Sequence, residues 1–494
     1  MRRLAVLGSL VLAVLALSAP AAFGQAATSG EHSDNMEFVK NLPYELRNGA
    51  TEITGTDIEF TRIGGRQYAL AGSYKNGMQI VDITNPRNSQ IVAVYDCGVT
   101  QGDVQVFRQA SKPGRVFVSY ASDTFGDGTS TCYQEAAALG FDVLKPTGQG
   151  RNGSFIAEIT DPLHPKTVSF VDVTQGTHNG TIHPSGNYLY NSNSDLIVNS
   201  PTPAIEVFDI SNFAAPVKVK ELPLPTFPGL GTESHDITFK SDGTRAYSAA
   251  LSQGVVINTE NPADPSIIST WPDPAINVWH QMDPYTTTDA SGRERTFLLA
   301  EDEVAGAAGG PVCPSGGFHV YDVTGELEKN PQKVGYWNID DVGFSGEATG
   351  TCTAHVFRIH QREQVMTAAF YNGGVRVVDL SGLTGISLGS TQVAGEGMKE
   401  IGYYRIQHMD TWSAKTPEIS PDGSFHLFAN DMARGLDIYH YSGAGKKPKS
   451  RGKWMSAQEA NAALAGRPAK YFAACAAPIH VPFLADSAAA PSNL

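Results

Sequence analysis

The stretch GVRVVDLSG, residues 374–382, decides the fold because it is one of seven related copies in the chain. The other copies lie at 77–86, 154–162, 204–212, 254–262, 317–325 and 435–443. Apolar residues alternate in each copy, and turn-forming residues follow, which predicts a half-buried strand running into a tight turn. The acids that recur at this turn are expected to form Asx turns rather than to bind metal. They are Asp82, Asp209, Asp322 and Asp379.

Further strand signals surround each copy. A hairpin of two strands precedes it, as in HDITFKSDGTRAYSAA at 235–250, and one short strand follows it, as in IVAVYDC at 91–97. Four antiparallel strands, repeated seven times at a mean of about 60 residues, predict an all-β fold, a seven-bladed β-propeller. The N-terminal segment MEFVKNLPY (36–44) resembles the fourth strand VKVKELPLP (217–225). We expect it to complete the last blade and so remove an exposed sheet edge.

The repeats resemble the LVIVD repeat, which names a family of secreted bacterial β-propellers. MQIVD (78–82) and VRVVD (375–379) are the closest matches, and the similarity covers nearly all of residues 36–443. The resemblance implies the propeller fold and a secreted protein. It implies no particular reaction, because a fold does not specify an activity.

Both ends of the chain differ from the repeats. Residues 1–25 indicate a secretory signal peptide, with two arginines followed by a short apolar run. No other segment approaches the roughly 20 apolar residues that cross a bilayer, so we expect a secreted, extracytoplasmic protein without a membrane span. Residues 444–494 are expected to form a C-terminal extension outside the propeller of 36–443, with one short helix that Ser456 and Glu459 open as a capping box.

The charge of the chain limits its partners. Asp and Glu total 50 against 36 Lys and Arg, a net charge of −14, which disfavours nucleic acid and anionic membranes. Instead we expect a small molecule, a glycan or a surface protein to bind at the loop-rich mouth of the central channel of the propeller. We also expect the protein to be a monomer. The chain contains no phosphate-binding Gly-rich loop, nucleophile elbow or HExxH motif, which argues against those enzyme types.

Five cysteines suit an oxidising compartment. We expect disulfides between Cys97 and Cys132 and between Cys313 and Cys352, each holding a long loop over the channel. An alternative is that Cys352 and His355, three residues apart, belong to one metal-ligand set. Cys475 remains unassigned.

A histidine recurs where the first strand of five consecutive repeats begins. These residues are His178, His235, His280, His355 and His408. First strands of a propeller line the channel and all begin at one mouth, so the five imidazoles are expected to converge there. Two of the remaining histidines, His183 and His360, lie five residues further along and are expected at the opposite hairpins.

The converging histidines have three interpretations: a metal site, a structural ring, and a metal-free ligand or catalytic site. Three or four of them could hold a metal ion, with copper favoured over zinc or iron because imidazole suits all three and the compartment is oxidising. Alternatively, neutral imidazoles hydrogen-bond across blades and only stabilise the channel. Nearby carboxylates could orient the imidazoles or activate a metal-bound water. They are Asp57, Asp103, Asp236, Glu301, Asp302 and Asp431.

Two classes of function follow. The first is a secreted binding or scaffold propeller whose loops capture a partner, since binding residues often sit on loops held by a rigid scaffold. The second is a metal-dependent oxidoreductase or hydrolase that uses copper, zinc or iron and acts on a small molecule at the channel mouth. The sequence favours the first class and leaves the second as its alternative.

Overall fold

The computed structural model describes residues 30–123, 126–173, 176–193, 204–226, 233–306, 313–340, 351–388, 397–443, 452–464 and 471–472. Within these residues the strands form seven sheets of four or five strands and one two-stranded sheet. The seven larger sheets are the blades of a β-propeller, which confirms the predicted fold. The predicted signal peptide, residues 1–25, and Cys475 lie outside the described residues.

The first four blades contain four antiparallel strands each. The chain starts with β1 (Gly30–His32) and β2 (Met36–Leu42), which join later blades. Blade 1 contains β3 (Gly55–Ile63), β4 (Arg66–Ser73), β5 (Met78–Asp82) and β6 (Gln90–Tyr95). Blade 2 contains β7 (Gln101–Phe107), β8 (Phe117–Ser122), β9 (Gly153–Glu158) and β10 (Lys166–Asp172). Blade 3 contains β11 (Asn179–Ile182), β12 (Tyr188–Ser192), β13 (Ala204–Asp209) and β14 (Val217–Pro223). Blade 4 contains β15 (Asp236–Phe239), β16 (Arg245–Ala250), β17 (Gln253–Asn258) and β18 (Ser266–Trp271).

The last three blades recruit strands from the chain ends. Blade 5 contains β19 (Trp279–Thr288), β20 (Glu294–Asp302), β22 (Phe318–Asp322) and β23 (Gln332–Ile339), while β21 (Ala305–Gly306) lies outside it. Blade 6 contains β24 (His355–His360), β25 (Val365–Ala369), β26 (Val375–Gly382) and β27 (Gly397–Ile406). Blade 7 contains β28 (Thr411–Lys415), β29 (Phe425–Asp431) and β30 (Gly435–Tyr441). The C-terminal strands are β31 (Gly452–Ser456) and β32 (Tyr471–Phe472). The α-helices are α1 (Thr131–Ala138) and α2 (Ala457–Leu464), and the short 3-10 helices are Pro86–Asn88, Gly325–Lys329 and Leu383–Gly385.

The blades form a closed ring around a central channel. The first strand of each blade contacts the first strand of the next, and β28 of blade 7 contacts β3 of blade 1. Strand β2 completes blade 7 by pairing antiparallel with β30, from Met36 opposite Tyr441 to Leu42 opposite Leu436. The predicted closing strand is thus confirmed. Apolar side chains from facing sheets pack between the blades and form the core.

Two blades gain a fifth strand that the repeat pattern did not predict. Strand β1 pairs with β27 on blade 6, and β31 pairs with β23 on blade 5. Both cover an outer sheet edge that would otherwise present unpaired backbone groups. Helix α2 follows β31 directly, and its predicted capping box is confirmed: Ser456 N–H donates to Glu459 Oε2 at 2.8 Å, and Glu459 N–H donates to Ser456 Oγ at 3.3 Å.

The recurring acids form the predicted Asx turns. In each of these four repeats, the backbone N–H two residues after the aspartate donates to the aspartate Oδ1. This N–H is therefore hydrogen-bonded where the strand ends. The donors and distances are Thr84 to Asp82 at 3.0 Å, Ser211 to Asp209 at 2.8 Å, Thr324 to Asp322 at 3.0 Å and Ser381 to Asp379 at 2.8 Å.

Both predicted disulfides are present, Cys97–Cys132 and Cys313–Cys352. They lie among the connections on the side of the ring where the first strands begin, because Cys97 follows β6 and Cys352 precedes β24. The alternative in which Cys352 shares a metal with His355 is wrong, since its sulfur is bonded to Cys313.

Candidate metal centre in the channel

Four of the five predicted histidines form a continuous arc around the channel. The ring centroids of His178 and His235 are 4.2 Å apart, those of His235 and His280 are 4.1 Å apart, and those of His280 and His355 are 4.2 Å apart. All four side chains are buried. Each enters from the start of the first strand of its own blade, in blades 3 to 6, so the shared register of the repeats brings them together.

The fifth predicted histidine, His408, is not part of this arc. It is exposed and lies in a turn before β28, where its backbone adopts a positive φ of 64°. Trp412 takes the expected place, with its ring centroid 4.5 Å from that of His355. The blade 7 strand begins later than the sequence alignment assumed, and the turn carries His408 away from the channel.

Backbone carbonyls fix the orientation of two imidazoles. His235 Nδ1–H donates to the carbonyl of His280 at 3.1 Å, and His355 Nδ1–H donates to the carbonyl of Trp412 at 2.6 Å. Because a carbonyl only accepts, the proton must sit on Nδ1, and the neutral ring keeps a lone pair on Nε2. His280 pairs through Nδ1 with Glu301 Oε2 at 2.8 Å, the carboxylate–histidine arrangement that often supports a metal-bound imidazole.

Glu303 completes a cluster that the sequence reasoning missed. Ligand atoms of His235, His280 and Glu303 all lie within 4.8 Å of one another, and all three side chains are buried. Glu303 Oε2 is 3.7 Å from His280 Nε2, and Glu303 Oε1 is 3.6 Å from His355 Nε2. Glu303 follows Glu301 by two residues in the run EDE at 301–303, which was the available signal.

The imidazoles are held neutral. Burial lowers the pKa of His355 to about 3, and burial together with the neighbouring imidazoles holds the pKa values of His235 and His280 well below their usual range. Neutral imidazole is the form that binds metals. In contrast, burial and the adjacent carboxylates raise the pKa of Glu301 well above its usual range. A cation bound between the imidazoles and Glu303 would favour the ionised form of Glu301 and of the carboxylates beside it.

Polar and aromatic groups continue the arc on both sides. Gln101 Nε2 lies 3.0 Å from His178 Nε2, and the Tyr74 hydroxyl donates to Gln101 Oε1 at 3.2 Å. Tyr74 also packs edge-on against Trp412, so the arc closes into a ring. Gln101 stands in blade 2 where a histidine stands in blades 3 to 6, and it has a positive φ of 79°.

The six predicted carboxylates separate into three roles. Glu301 orients His280, as predicted. Asp302 and Asp431 instead accept backbone N–H groups, from Asn277 and Asp410 respectively, and so shape the local turns. The other three line the channel cavity; they are Asp57, Asp103 and Asp236.

A cavity of about 800 Å³ occupies the channel and reaches His280 and His355. From these imidazoles its walls extend to the hairpins between first and second strands, where they include Pro184 and Asp242. The cavity thus lies on the hairpin side of the histidines, whereas the disulfides lie on the other side. A ligand at the loop-rich mouth stays a prediction, and the structure provides an approach from the opposite face.

The histidines expected at the hairpins are there. His183 lies in the turn after β11 and its Nε2 is 3.0 Å from the carbonyl oxygen of Gly243, and His360 ends β24. Neither belongs to the group of His235, His280 and Glu303.

No family model matches the chain, and no curated protein matches it in sequence. Its structure is similar to that of the Pseudomonas aeruginosa periplasmic gluconolactonase PpgL, at 12% identity and a TM-score of 0.46, over 78% of this chain and 98% of that one. It is also similar to the β-propeller domain of Myceliophteria thermophila Cps50 (Swd1), at 11% identity and a TM-score of 0.44, over 79% and 97% of the two chains. A functionally unknown protein from Desulfotomaculum acetoxidans gives 14% identity and a TM-score of 0.41, over 67% and 84%. These similarities concern architecture and not activity.

Proposed function

We propose that this chain is a secreted propeller of the LVIVD-repeat type that holds a metal ion in its channel and binds a small molecule in the adjoining cavity. One observation carries the proposal: Nε2 of His280 and Nε2 of His355 are buried without a hydrogen-bond partner among the described residues, and both face Glu303. An unpaired buried polar atom costs about 1–3 kcal/mol, and coordination to a cation removes that cost. The purely structural interpretation of the ring leaves these two nitrogens unexplained.

The donor atoms indicate the class of metal. Two imidazoles and one carboxylate, from His235, His280 and Glu303, suit zinc or iron(II) as well as copper. His355 stands beside this group and is the natural fourth ligand. The proposal is therefore a divalent first-row transition metal, with copper, the ion favoured from the sequence, as one of three to be tested.

Other features support export and the family. Two disulfides suit an oxidising compartment, and the N-terminal sequence has the pattern of a signal peptide. Within the described residues no helix is both long and apolar enough to cross a membrane. The MQIVD and VRVVD segments, at 78–82 and 375–379, support membership of the LVIVD-repeat proteins.

The metal centre is tested by metal analysis. Wild-type protein reconstituted separately with copper, zinc and iron(II) is expected to retain about one equivalent of at least one ion after dialysis. The double substitution His235→Ala, His280→Ala should lower the affinity at least about 100-fold, since even changes outside the ligand set cost 10–100-fold.

His408→Ala is the matched control, because it removes an imidazole that lies outside the arc. It should retain the wild-type metal content. Wild type that holds none of the three ions in stoichiometric amount would refute the metal centre, and so would equal retention by the double variant.

Tyr371 is expected to tune the metal affinity without binding the ion. Its hydroxyl donates to Glu303 Oε1 at 2.7 Å, and its ring centroid is 4.6 Å from that of His355. Tyr371→Phe removes the hydrogen bond that positions the carboxylate, so metal affinity should fall about 10-fold. Competition with a chromophoric chelator measures the change.

Tyr190→Phe is the control for this substitution, because it also removes a buried tyrosine hydroxyl, one that donates to the Pro262 carbonyl at 2.7 Å. Its metal affinity should equal that of wild type. Equal losses in the two variants would show a general effect on stability and not a role at the site.

A second candidate, a metal-dependent oxidoreductase or hydrolase, is favoured by the access to the centre. Where only His235, His280 and Glu303 bind the ion and His355 does not, a coordination position stays open for water or substrate, and the cavity wall includes the ligand His280. Metal-loaded protein should then turn over ester or phenol probes, and His235→Ala should abolish turnover that His408→Ala retains. A fully loaded protein that turns over neither class of probe would favour the binding function.

A further inference from the structure

The cavity below the metal centre is strongly acidic. Seven carboxylate side chains line it against three cationic ones. The carboxylates are Asp57, Glu59, Asp103, Asp236, Asp242, Asp283 and Glu294, and the cations are Lys240, Arg358 and Lys415. This excess of acidic over basic groups in a partly enclosed space favours cations over anions.

The three cations are already paired within the cavity wall. Lys415 Nζ is 2.6 Å from Asp57 Oδ1 and 3.0 Å from Glu59 Oε1. Arg358 Nη2 donates to Glu59 Oε2 at 2.6 Å. At the rim, Lys240 Nζ is 3.4 Å from Asp242 Oδ2. The pairs of Lys415 and Arg358 neutralise the charge on the side formed by blades 6, 7 and 1, and the pair of Lys240 and Asp242 lies at the rim on blade 4.

Three carboxylates on the other side form no ion pair within 4 Å in the described part of the chain, and the positive charge of Lys415 reaches Asp103 and Asp283 only from a longer distance. Asp103, Asp236 and Asp283 accept only hydrogen bonds from neutral groups, such as the Gly180 N–H to Asp103 at 3.3 Å and the Thr238 hydroxyl to Asp283 at 2.6 Å. Burial and the Asp57 carboxylate raise the pKa of Asp103 to about 7. A bound cation would favour the ionised form of all three.

An unpaired hydroxyl lies in the same wall. Thr181 is 6% exposed, and its Oγ1 has no hydrogen-bond partner among the described residues. It comes from blade 3, between Asp103 of blade 2 and Asp236 of blade 4, and it lines the cavity. A buried hydroxyl without a protein partner is costly, and at this wall its hydrogen bond is open to a ligand or a water in the cavity.

The spacing fits an organic cation better than a second metal ion. Among the described residues, the group of His235, His280 and Glu303 is the one set of three ligand atoms that lie within 4.8 Å of one another. The carboxylates of Asp103 and Asp283 belong to no such set. A protonated amine does not need three close ligands: its nitrogen can donate to one or two carboxylates and a hydroxyl, while its alkyl chain occupies the rest of the cavity.

We propose that the cavity binds a small molecule carrying a protonated amine, whose ammonium group faces Asp103, Asp236, Asp283 and Thr181. The inference rests on the proposed function, because it takes this cavity as the ligand site beside the metal centre. The opposite end of such a molecule points toward His280 and His355, which line the same cavity.

Isothermal titration calorimetry with three probes of equal length tests the inference: 1,5-diaminopentane, 1,5-pentanediol and glutarate. The full mature chain is titrated both after treatment with EDTA and after metal loading. The diamine should bind in both states, and the diol and the diacid should bind at least about 10-fold more weakly, the expected effect of losing a charge-assisted hydrogen bond.

Variants locate the ammonium site. The double substitution Asp103→Asn, Asp283→Asn and the single substitution Thr181→Val should each weaken diamine binding about 10-fold or more. Asp264→Asn is the matched control, because Asp264 is exposed and pairs with Lys220 away from the cavity. Thermal unfolding checks that each variant is folded. If the double variant does not fold, diamine binding by Thr181→Val alone tests the ammonium site.

A folded wild type that does not bind the diamine, or that binds the diol equally well, overturns the inference. Diamine binding that Thr181→Val leaves unchanged also overturns it. These outcomes are independent of the metal content test, since they are measured on metal-free protein. Diamine binding without any stoichiometric metal would instead refute the metal centre and leave the ammonium site standing.

Discussion

A chain that begins at residue 43 is expected to lose the stable propeller, because it lacks the strand that closes blade 7. Strand β2 pairs with β30 over its whole length, and its Met36, Phe38 and Leu42 side chains pack into the core. Each large apolar side chain that is buried contributes roughly 1.5–3 kcal/mol. Met36 is buried, whereas Phe38 and Leu42 are half-buried and contribute less. Together with the lost pairing, their removal is a large part of the net stability of a typical protein, about 5–15 kcal/mol.

A chain that begins at residue 33 is the control for this truncation. It lacks only β1, the fifth strand of blade 6, and keeps β2. Circular dichroism and calorimetry should show a cooperative transition for this chain and none, or aggregation, for the shorter one. If both chains unfold at the same temperature, then closure by β2 does not stabilise the ring.

Asp322→Ala is expected to destabilise the protein far more than Asp82→Ala, although both residues occupy the same position of the repeat. Asp322 Oδ2 lies 2.6 Å from Arg295 Nη2, and Arg295 is 1% exposed. Removal of the carboxylate leaves a buried guanidinium whose remaining counter-ion is the more distant Asp289, with Oδ2 3.7 Å from Arg295 Nη1. Breaking a buried ion pair costs about 3–5 kcal/mol. At the equivalent pair the Arg66 side chain is 57% exposed, so water replaces Asp82 and the loss should be about 1 kcal/mol.

Urea denaturation of the two variants measures this difference. Both substitutions remove one Asx turn, since Thr84 and Thr324 donate to the two aspartates in the same way. The free-energy cost of losing the turn therefore cancels in the comparison. The difference between the two variants then measures the loss of the buried ion pair. Equal free energies of unfolding for the two variants would contradict the interpretation.

The repeat pattern predicted the propeller because it is local information repeated seven times. Alternating apolar residues determine which face of a strand is buried, and the turn residues determine where the strand ends, as the Asx turns at Asp82 and Asp322 show. The closing strand was found because Met36 to Leu42 has the pattern of a fourth strand. The short strands β1 and β31 carry too little pattern to predict, since their pairing depends on which sheet edges remain open.

The candidate metal centre was predicted in part for the same reason. His178, His235, His280 and His355 share one register, and register is a property of the repeat. His408 was assigned wrongly because a turn with positive φ separates it from its strand.

The tertiary structure added Glu303 and the side of the ring on which the cavity lies. Glu303 comes from the end of a second strand and meets histidines of other blades. The cavity has walls from all seven blades and extends from the histidines toward the hairpins. Such features arise when residues far apart in the chain converge, and their distances depend on how the blades pack around the axis. The alternation of apolar residues along a strand predicts which face is buried, but it does not predict which side chains of other blades that face meets.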